Sequence, residues 1–374
     1  MPVALIVGAF GQDNPGDEAL LDAAVHAVRA CDGWEPLVVT ARPQATAARL
    51  DLETVPGTGP AALRAASRAD ALVVGGGTVF KELHPASGRP AGALLRRAVA
   101  LTGAVNARRR PVALVGVGAA EISRSANRRL ARSLARRADL LILRDAESAD
   151  LLARMGVQAP LRVGADLSWL TVPPALPDRP DRATAPVGVA VSHLAGGDRL
   201  VDALTAALRP LVSAGRPIEI EPWQGSPRLG ADGQIAARMA SALGCGASVV
   251  GPPQDLDDAA ARTARRAAVV AMRFHAAVVA ASTGTPFAAV AHEPKLAAIA
   301  ARTGQPTISV ETDADTACLA IEHALLGPGP STTAVADERR RAEATADLLG
   351  ILLSGHGDAG RLVHLDLVPE PVPA

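Results

Sequence analysis

The chain has 374 residues, is 49% hydrophobic and carries a formal net charge of zero. That length admits two domains, and the balanced charge removes the basic excess that a nucleic-acid partner would call for. Aromatic residues make up 2% with no tyrosine, which counts against the stacking platforms of single-strand binders. Cys31, Cys245 and Cys318 are odd in number and far apart, so neither a disulfide framework nor a metal-ligand spacing is expected. The amino terminus enters a strand directly, without the basic region of a signal peptide, and no apolar run has the length of a membrane span. A cytoplasmic protein is expected.

Short β-rich runs alternate with longer Ala/Leu/Arg segments. Val3–Val7, Pro36–Thr40, Ala71–Val74, Val112–Val115 and Leu140–Leu143 read as strands, each followed by a plausible helix. This is the rhythm of a parallel sheet covered on both faces. Residues 172–186 carry five prolines in fifteen positions and read as a linker, not an element interior. A second set follows at Val187–Val191, Ile218–Glu221, Ser248–Val250, Ala268–Ala271, Phe287–Val290 and Thr307–Val310. The expected fold is α/β, with two Rossmann-like domains facing a cleft. The first domain covers 1–171 and the second 187–330. A final helix over 331–354 can cross back onto the first domain, and a Gly- and Pro-rich tail occupies 355–374.

Candidate site residues gather at strand ends. The first strand runs into Gly8-Ala-Phe-Gly11-Gln-Asp-Asn14-Pro-Gly16-Asp17-Glu18, with a helix starting near Asp17. The spacing fails the dinucleotide fingerprint and lacks a Walker lysine. Asp17 and Glu18 sit where a helix start favours acids, but they can equally hydrogen-bond sugar hydroxyls. Gly75-Gly-Gly-Thr78 leads to Lys81 and Glu82, and Gly116-Val-Gly118 marks a third loop on the same rim. Arg144 closes the fifth strand beside Asp145, either as its ion-pair partner or as an anion contact. Asp166 reads as structural. In the second domain, Arg273 and His275 follow an apolar strand and open a small-residue helix that ends at Gly284-Thr-Pro286, with Lys295 just beyond. A cationic pair where a strand hands over to a helix N-terminus is an anion site. Lys81 and Lys295 are the only lysines, which sets them apart where arginine fills the ordinary basic positions.

Taken in this order, the stretches Gly11–Glu18, Gly75–Thr78, Gly116–Gly118, Arg144–Ser148, Ala165-Asp166, Arg273-Phe-His275 and Gly284–Lys295 resemble the polysaccharide pyruvyl transferase family across roughly residues 3–310. The resemblance implies a GT-B-like architecture. It also implies transfer of the carboxyvinyl unit of phosphoenolpyruvate onto a sugar, glycolipid or other hydroxylated acceptor, giving a pyruvate ketal and phosphate without metal or nucleotide cofactor. Such chemistry belongs to cell-wall and polysaccharide biosynthesis. Two departures stand out. The usual aromatic before Asp-Pro-Lys is replaced in His292-Glu-Pro-Lys295, and His193 follows the first second-domain strand where the family often has arginine.

Under that resemblance Arg144, Arg273, His275 and Lys295 would hold the donor, Arg144 and Arg273 coming from different domains. His275 would bind phosphate or protonate the methylene carbon, and Lys295 would steady the departing phosphate. Asn14, Asp17, Glu18, Thr78 and Glu82 would line the acceptor side, with Asp17, Glu18 or Glu82 accepting the hydroxyl proton. The rival readings are a nucleotide-sugar glycosyltransferase, for which Glu221 and Gln224 are the nearest ribose and base contacts, and a relative without catalytic activity. Arg124, Arg128, Arg132 and Arg136 recur every four residues. They read as a solvated helix face, with contact to an anionic membrane surface as the sharper alternative.

Overall fold

The computed structural model describes residues 1–174, 181–193, 195, 197–225 and 231–355. The middle of the expected linker, 175–180, and the tail from 356 onward lie outside the described residues.

The chain divides into two compact units. The first comprises Met1–Gln12, Asp17–Thr171 and the chain from Glu338; the second comprises Asp13–Gly16 and Val172–Asp337. The first unit is built on a parallel sheet of β1 (Val3–Val7), β2 (Glu35–Thr40), β3 (Glu53–Pro56), β4 (Ala71–Gly75), β5 (Thr78–Phe80), β6 (Val112–Ala119), β7 (Leu140–Leu143) and β8 (Arg162–Val163). The order is β3-β2-β1-β4-β6-β7-β8, with β5 paired only to β6. The reversal of direction at β1 is that of a doubly wound sheet, which binds ligands beyond the carboxyl ends of its strands.

Alternation along β1 sends its side chains into two separate cores. Ala4 and Ile6 pack with Leu20, Leu21, Ala24 and Val28 of the helix Pro15–Arg29, and with Leu348, Leu349 and Leu353 of the helix Thr332–Ser354. Leu5 packs on the opposite face with Leu95, Leu101 and Val105 of the helix Ala93–Asn106. Trp34 Nε1 donates to the Leu353 carbonyl at 3.1 Å. A Cβ at Gly164 would stand 2.2 Å from Thr345 Oγ1, so glycine there admits the final helix at close range.

The second unit repeats the design with β9 (Val187–Val191), β10 (Ile218–Pro222), β11 (Ala247–Val249), β12 (Ala268–Ala271), β13 (Phe287–Val290) and β14 (Thr307–Ile308). All pairings are parallel, in the order β11-β10-β9-β12-β13-β14. Every residue of β9, β12 and β13 is buried, as expected of strands covered on both faces. The helix Phe274–Thr283 after β12 buries all its residues but His275. Its Ala and Val side chains let it pack closely on all sides, and a helix apolar all round belongs inside. It stops where Gly284 adopts the left-handed conformation (φ 71°) that a Cβ would resist.

Four strands, β3, β5, β6 and β8, depart most from the sequence expectation. β3 and β8 are short and half exposed, carrying Glu53 and Arg162, so they lack an apolar run. β5 follows directly on the Gly75-Gly-Gly run, which reads as a loop. β6 extends past the expected Val115 to Ala119 because Gly116 (φ 61°) lets the chain turn within it without leaving the sheet.

Candidate functional site

In the second unit four neighbouring strands, β10, β9, β12 and β13, each place a polar residue two positions past their last residue: Gln224, His193, Arg273 and His292. A parallel sheet brings its strand ends to one rim, so residues far apart in sequence meet there. Arg273 is the cap residue of the helix Phe274–Thr283, with extended backbone, and its side chain makes no cap bond. Its guanidinium instead forms an ion pair with Asp232 Oδ2, with longer contacts to Gln224 Oε1 (3.4 Å) and the Val191 carbonyl (3.5 Å).

Asp232 comes from the first turn of the helix Ala231–Leu243 and is fully buried. Its other oxygen, Oδ1, accepts the His193 backbone N–H at 2.9 Å and lies 2.6 Å from His193 Nδ1. An ionised carboxylate only accepts, so Nδ1 carries the proton. Burial alone would push the Asp232 carboxyl up. The His193 hydrogen bonds and the Arg273 charge outweigh it and hold the group below the usual carboxylate range. One carboxylate is thus shared by an arginine and a histidine.

His275 lies in the first helical turn after Arg273, its ring edge-on to Phe274 at a centroid distance of 5.4 Å. A Cβ at Gly16 would stand 1.9 Å from His275 Nδ1. A side chain there would displace the ring, so glycine lets the Asp13–Gly16 segment lie directly against it. That segment is further held by the Gly225 N–H on the Asp13 carbonyl at 3.1 Å and by Asn14, whose side-chain oxygen accepts the Gly16 N–H at 3.1 Å. Lys295 pairs with Glu293, and its Nζ stands 5.6 Å from the Phe274 ring centre. His292 Nε2 bonds the Met272 carbonyl at 2.9 Å. Burial pushes the His292 pKa down despite the neighbouring Glu293, which favours a neutral ring. Arg273, His275, Lys295, Asn14 and Gly16 all belong to the second unit.

The remaining predicted residues fall in the first unit. Arg144 is buried, its guanidinium 2.9 Å from Asp145, 3.6 Å from Asp166 and 3.1 Å from Thr78 Oγ1. It lies flat against Gly118, where a Cβ would meet it at 2.4 Å. Both carboxylates also cap helices: Asp145 accepts the Ser148 N–H and Asp166 the Ser168 N–H. The ion-pair reading of Arg144 therefore describes the structure, and its guanidinium reaches solvent very little. Thr78 is brought to Arg144, and Asp17 to the glycine run, 3.8 Å from where a Gly77 Cβ would be.

Glu18 closes its own loop. One oxygen accepts the Gly11 N–H at 2.6 Å, the other pairs with Arg49 at 3.0 Å, and burial raises its pKa against both. Glu82 accepts from Asn127, Ser123 and the Arg124 N–H at the start of the helix Ser125–Ala135. Although burial opposes them, these bonds hold its carboxyl below the usual range. Both carboxylates thus organise local backbone. Of the arginine row, Arg128 donates to the carbonyls of Ile122 and Ser123, and Arg132 to that of Met155. Glu221, the expected ribose contact of the rival reading, is fully buried and held by Arg262, Arg266 and Trp223. No group of three or more metal-ligating side chains occurs among the described residues. No helix among them is long and apolar enough to cross a membrane.

Sequence reasoning singled out Arg273 and His275 but not Asp232, which the structure brings to Arg273 and His193. An acid in the first turn of a helix looks like an ordinary dipole partner; its link to His193 is a contact across 39 residues.

Two parallel Rossmann-like sheets with a polar rim define a GT-B-like fold. Solved structures share it at low sequence identity. The UDP-GlcNAc 2-epimerase of Methanocaldococcus jannaschii aligns with a TM-score of 0.63 at 11% identity, over 95% of this chain and 100% of its own. The Anabaena protein HepE in complex with UDP-glucose aligns at 0.59 and 14% identity, over 97% and 99%. A glycosyltransferase from Rickettsia africae aligns at 0.57 and 11% identity, over 98% and 99%. No curated protein sequence matches the chain significantly. The family model for polysaccharide pyruvyl transferase matches residues 14–294, and the chain belongs to that family.

Proposed function

We propose that the protein is a phosphoenolpyruvate-dependent pyruvyl transferase acting on a hydroxylated acceptor of the sugar class. The observation that carries this reading is the Arg273–His275 junction, a guanidinium and an imidazole at the amino end of a buried helix. It lies within the segment that matches the family. The donor bears a phosphate and a carboxylate. A planar guanidinium binds either oxyanion through two parallel N–H groups, and the helix end adds free N–H groups and partial positive charge. Lys295, placed by Phe274 and Glu293, supplies a further cation for the leaving phosphate.

The reaction balances with His275 as proton carrier. His275 protonates the methylene carbon, and an acceptor hydroxyl adds to the adjoining carbon while giving up its proton. The carbon–oxygen bond to phosphate then breaks, and a second hydroxyl closes the ketal. Of the two hydroxyl protons, one restores His275 and one leaves on phosphate. Asp17 and Thr78, at the first unit's glycine rim, are the proposed acceptor contacts. Arg144 fixes Thr78 and thereby supports that rim from within.

Incubation with phosphoenolpyruvate and a diol sugar is expected to release phosphate and add a pyruvate mass to the sugar. Arg273→Ala should abolish both, and full activity in that variant would refute the assignment. A nucleotide-sugar reading draws support from HepE, which was solved with UDP-glucose. Saturable UDP binding by calorimetry, with none for phosphoenolpyruvate, would decide for it. The sequestration of Glu221 weighs against it.

A further inference from the structure

Arg273 does not meet an incoming anion as a bare cation. Its ion-pair partner Asp232 is fully buried, 0% exposed, whereas the Arg273 side chain is 15% exposed and that of His193 14%. The Arg273–Asp232 pair sums to zero charge. A carboxylate that neutralises the arginine this closely takes away most of the long-range attraction for phosphate or carboxylate, leaving only hydrogen-bond geometry. The same carboxylate also holds His193 by its backbone N–H and by Nδ1. His193 Nε2 takes no partner among the described residues. With His193 protonated the cluster of three carries one positive charge; with His193 neutral it carries none.

We propose that His193 is a donor-binding residue whose protonation supplies the net positive charge of the Arg273 site, so that phosphoenolpyruvate binds the protonated cluster more tightly than the neutral one. This rests on the donor reading given above. Asp232 is the positioning residue: it orients the His193 ring through Nδ1 and leaves Nε2 to face an oxyanion. The His193 hydrogen bonds and the Arg273 charge hold its carboxyl below the usual range, which makes Asp232 the anionic member of the cluster.

Several other charged groups of this unit are engaged elsewhere. Glu221 of β10 is enclosed by Arg262 and Arg266, Asp198 pairs with Arg238, and Glu293 pairs with Lys295. His292 is driven toward its neutral form by burial. His275 is the remaining imidazole of the site, and it stays unchanged in the variants below. Imidazole titrates in the physiological range, while the donor's own phosphate gains charge near pH 6. The second effect strengthens binding to cations as pH rises, opposite in sign to the first, so the two are separable only against variants that share the ligand.

The experiment is calorimetric titration of wild type, His193→Arg and His193→Gln with phosphoenolpyruvate at about pH 5.5 and about pH 8.5. His193→Arg carries the charge at both pH values and His193→Gln at neither. Wild type is expected to lie near His193→Arg at the lower pH and to move toward His193→Gln at the higher. The separation is roughly tenfold to a hundredfold in Kd, the range for one charged hydrogen bond. Wild-type affinity that runs parallel to either variant at both pH values would overturn the role of His193 while leaving the donor assignment intact. Absence of phosphoenolpyruvate binding in wild type and in His193→Arg alike would remove the donor assignment itself, and this inference with it.

Discussion

Arg144 and Arg273 have similar local settings: each follows a buried strand, β7 or β12, and introduces a helix. Their surroundings differ. Arg144 has 3% of its side chain exposed and stands between two buried carboxylates that are themselves helix caps. Arg273 has 15% exposed and meets one carboxylate, which it shares with a histidine. A buried ion pair enclosed by its own unit mainly specifies structure. A pair with one open edge and a titratable third member can respond to a ligand.

The largest stability effect is expected at the first of these. Arg144→Ala leaves Asp145 and Asp166 buried without their cation and should destabilise the fold by about 3–5 kcal/mol, read from denaturant unfolding. If Arg144→Ala unfolds like wild type, the two arginines are not distinguished in the way described. Gly16→Ala comes next: its methyl would collide with the His275 ring, costing about 1–3 kcal/mol of strain or displacing the ring. A fall in turnover exceeding any fall in Tm would locate the damage at His275.

A smaller effect is expected in acid. Asp232 has a depressed folded-state pKa, so its contribution to stability is present above its unfolded pKa. That contribution is lost as pH falls through the lower folded value, below about pH 4. Asp232→Asn should flatten that part of the stability profile, and an unchanged acid limb would contradict the assignment. Smallest is Glu82→Ala, which removes a helix-end acceptor at the surface and should cost about 0.5–1 kcal/mol without altering donor binding.

The fold was legible because parallel strands buried on both faces are continuous apolar runs, as at Ala71–Gly75 and Phe287–Val290. The edge strands β3 and β8 were not, since half of each faces solvent and nothing in Glu53 or Arg162 marks a strand. In the site, Arg273 and His275 were readable because they sit together at a strand–helix junction. Asp232 was hidden because its neighbours in sequence give it a sufficient local reason to exist, and its partners lie 39 and 41 residues away. Arg144 shows the converse: its position was read correctly, but depth of burial depends on Gly118, Asp166 and Thr78, which a local motif does not reveal.

The final helix gives the first unit an unusual dependence on chain order. Leu348, Leu349 and Leu353 complete the core under Ala4 and Ile6, and Trp34 bonds a carbonyl 319 residues downstream. During synthesis, the sheet that emerges first therefore waits for the last described helix before this apolar face is covered. Contacts of such sequence separation slow folding and prolong the exposure of apolar surface. The first unit is thus completed only after the whole of the second unit has been synthesised.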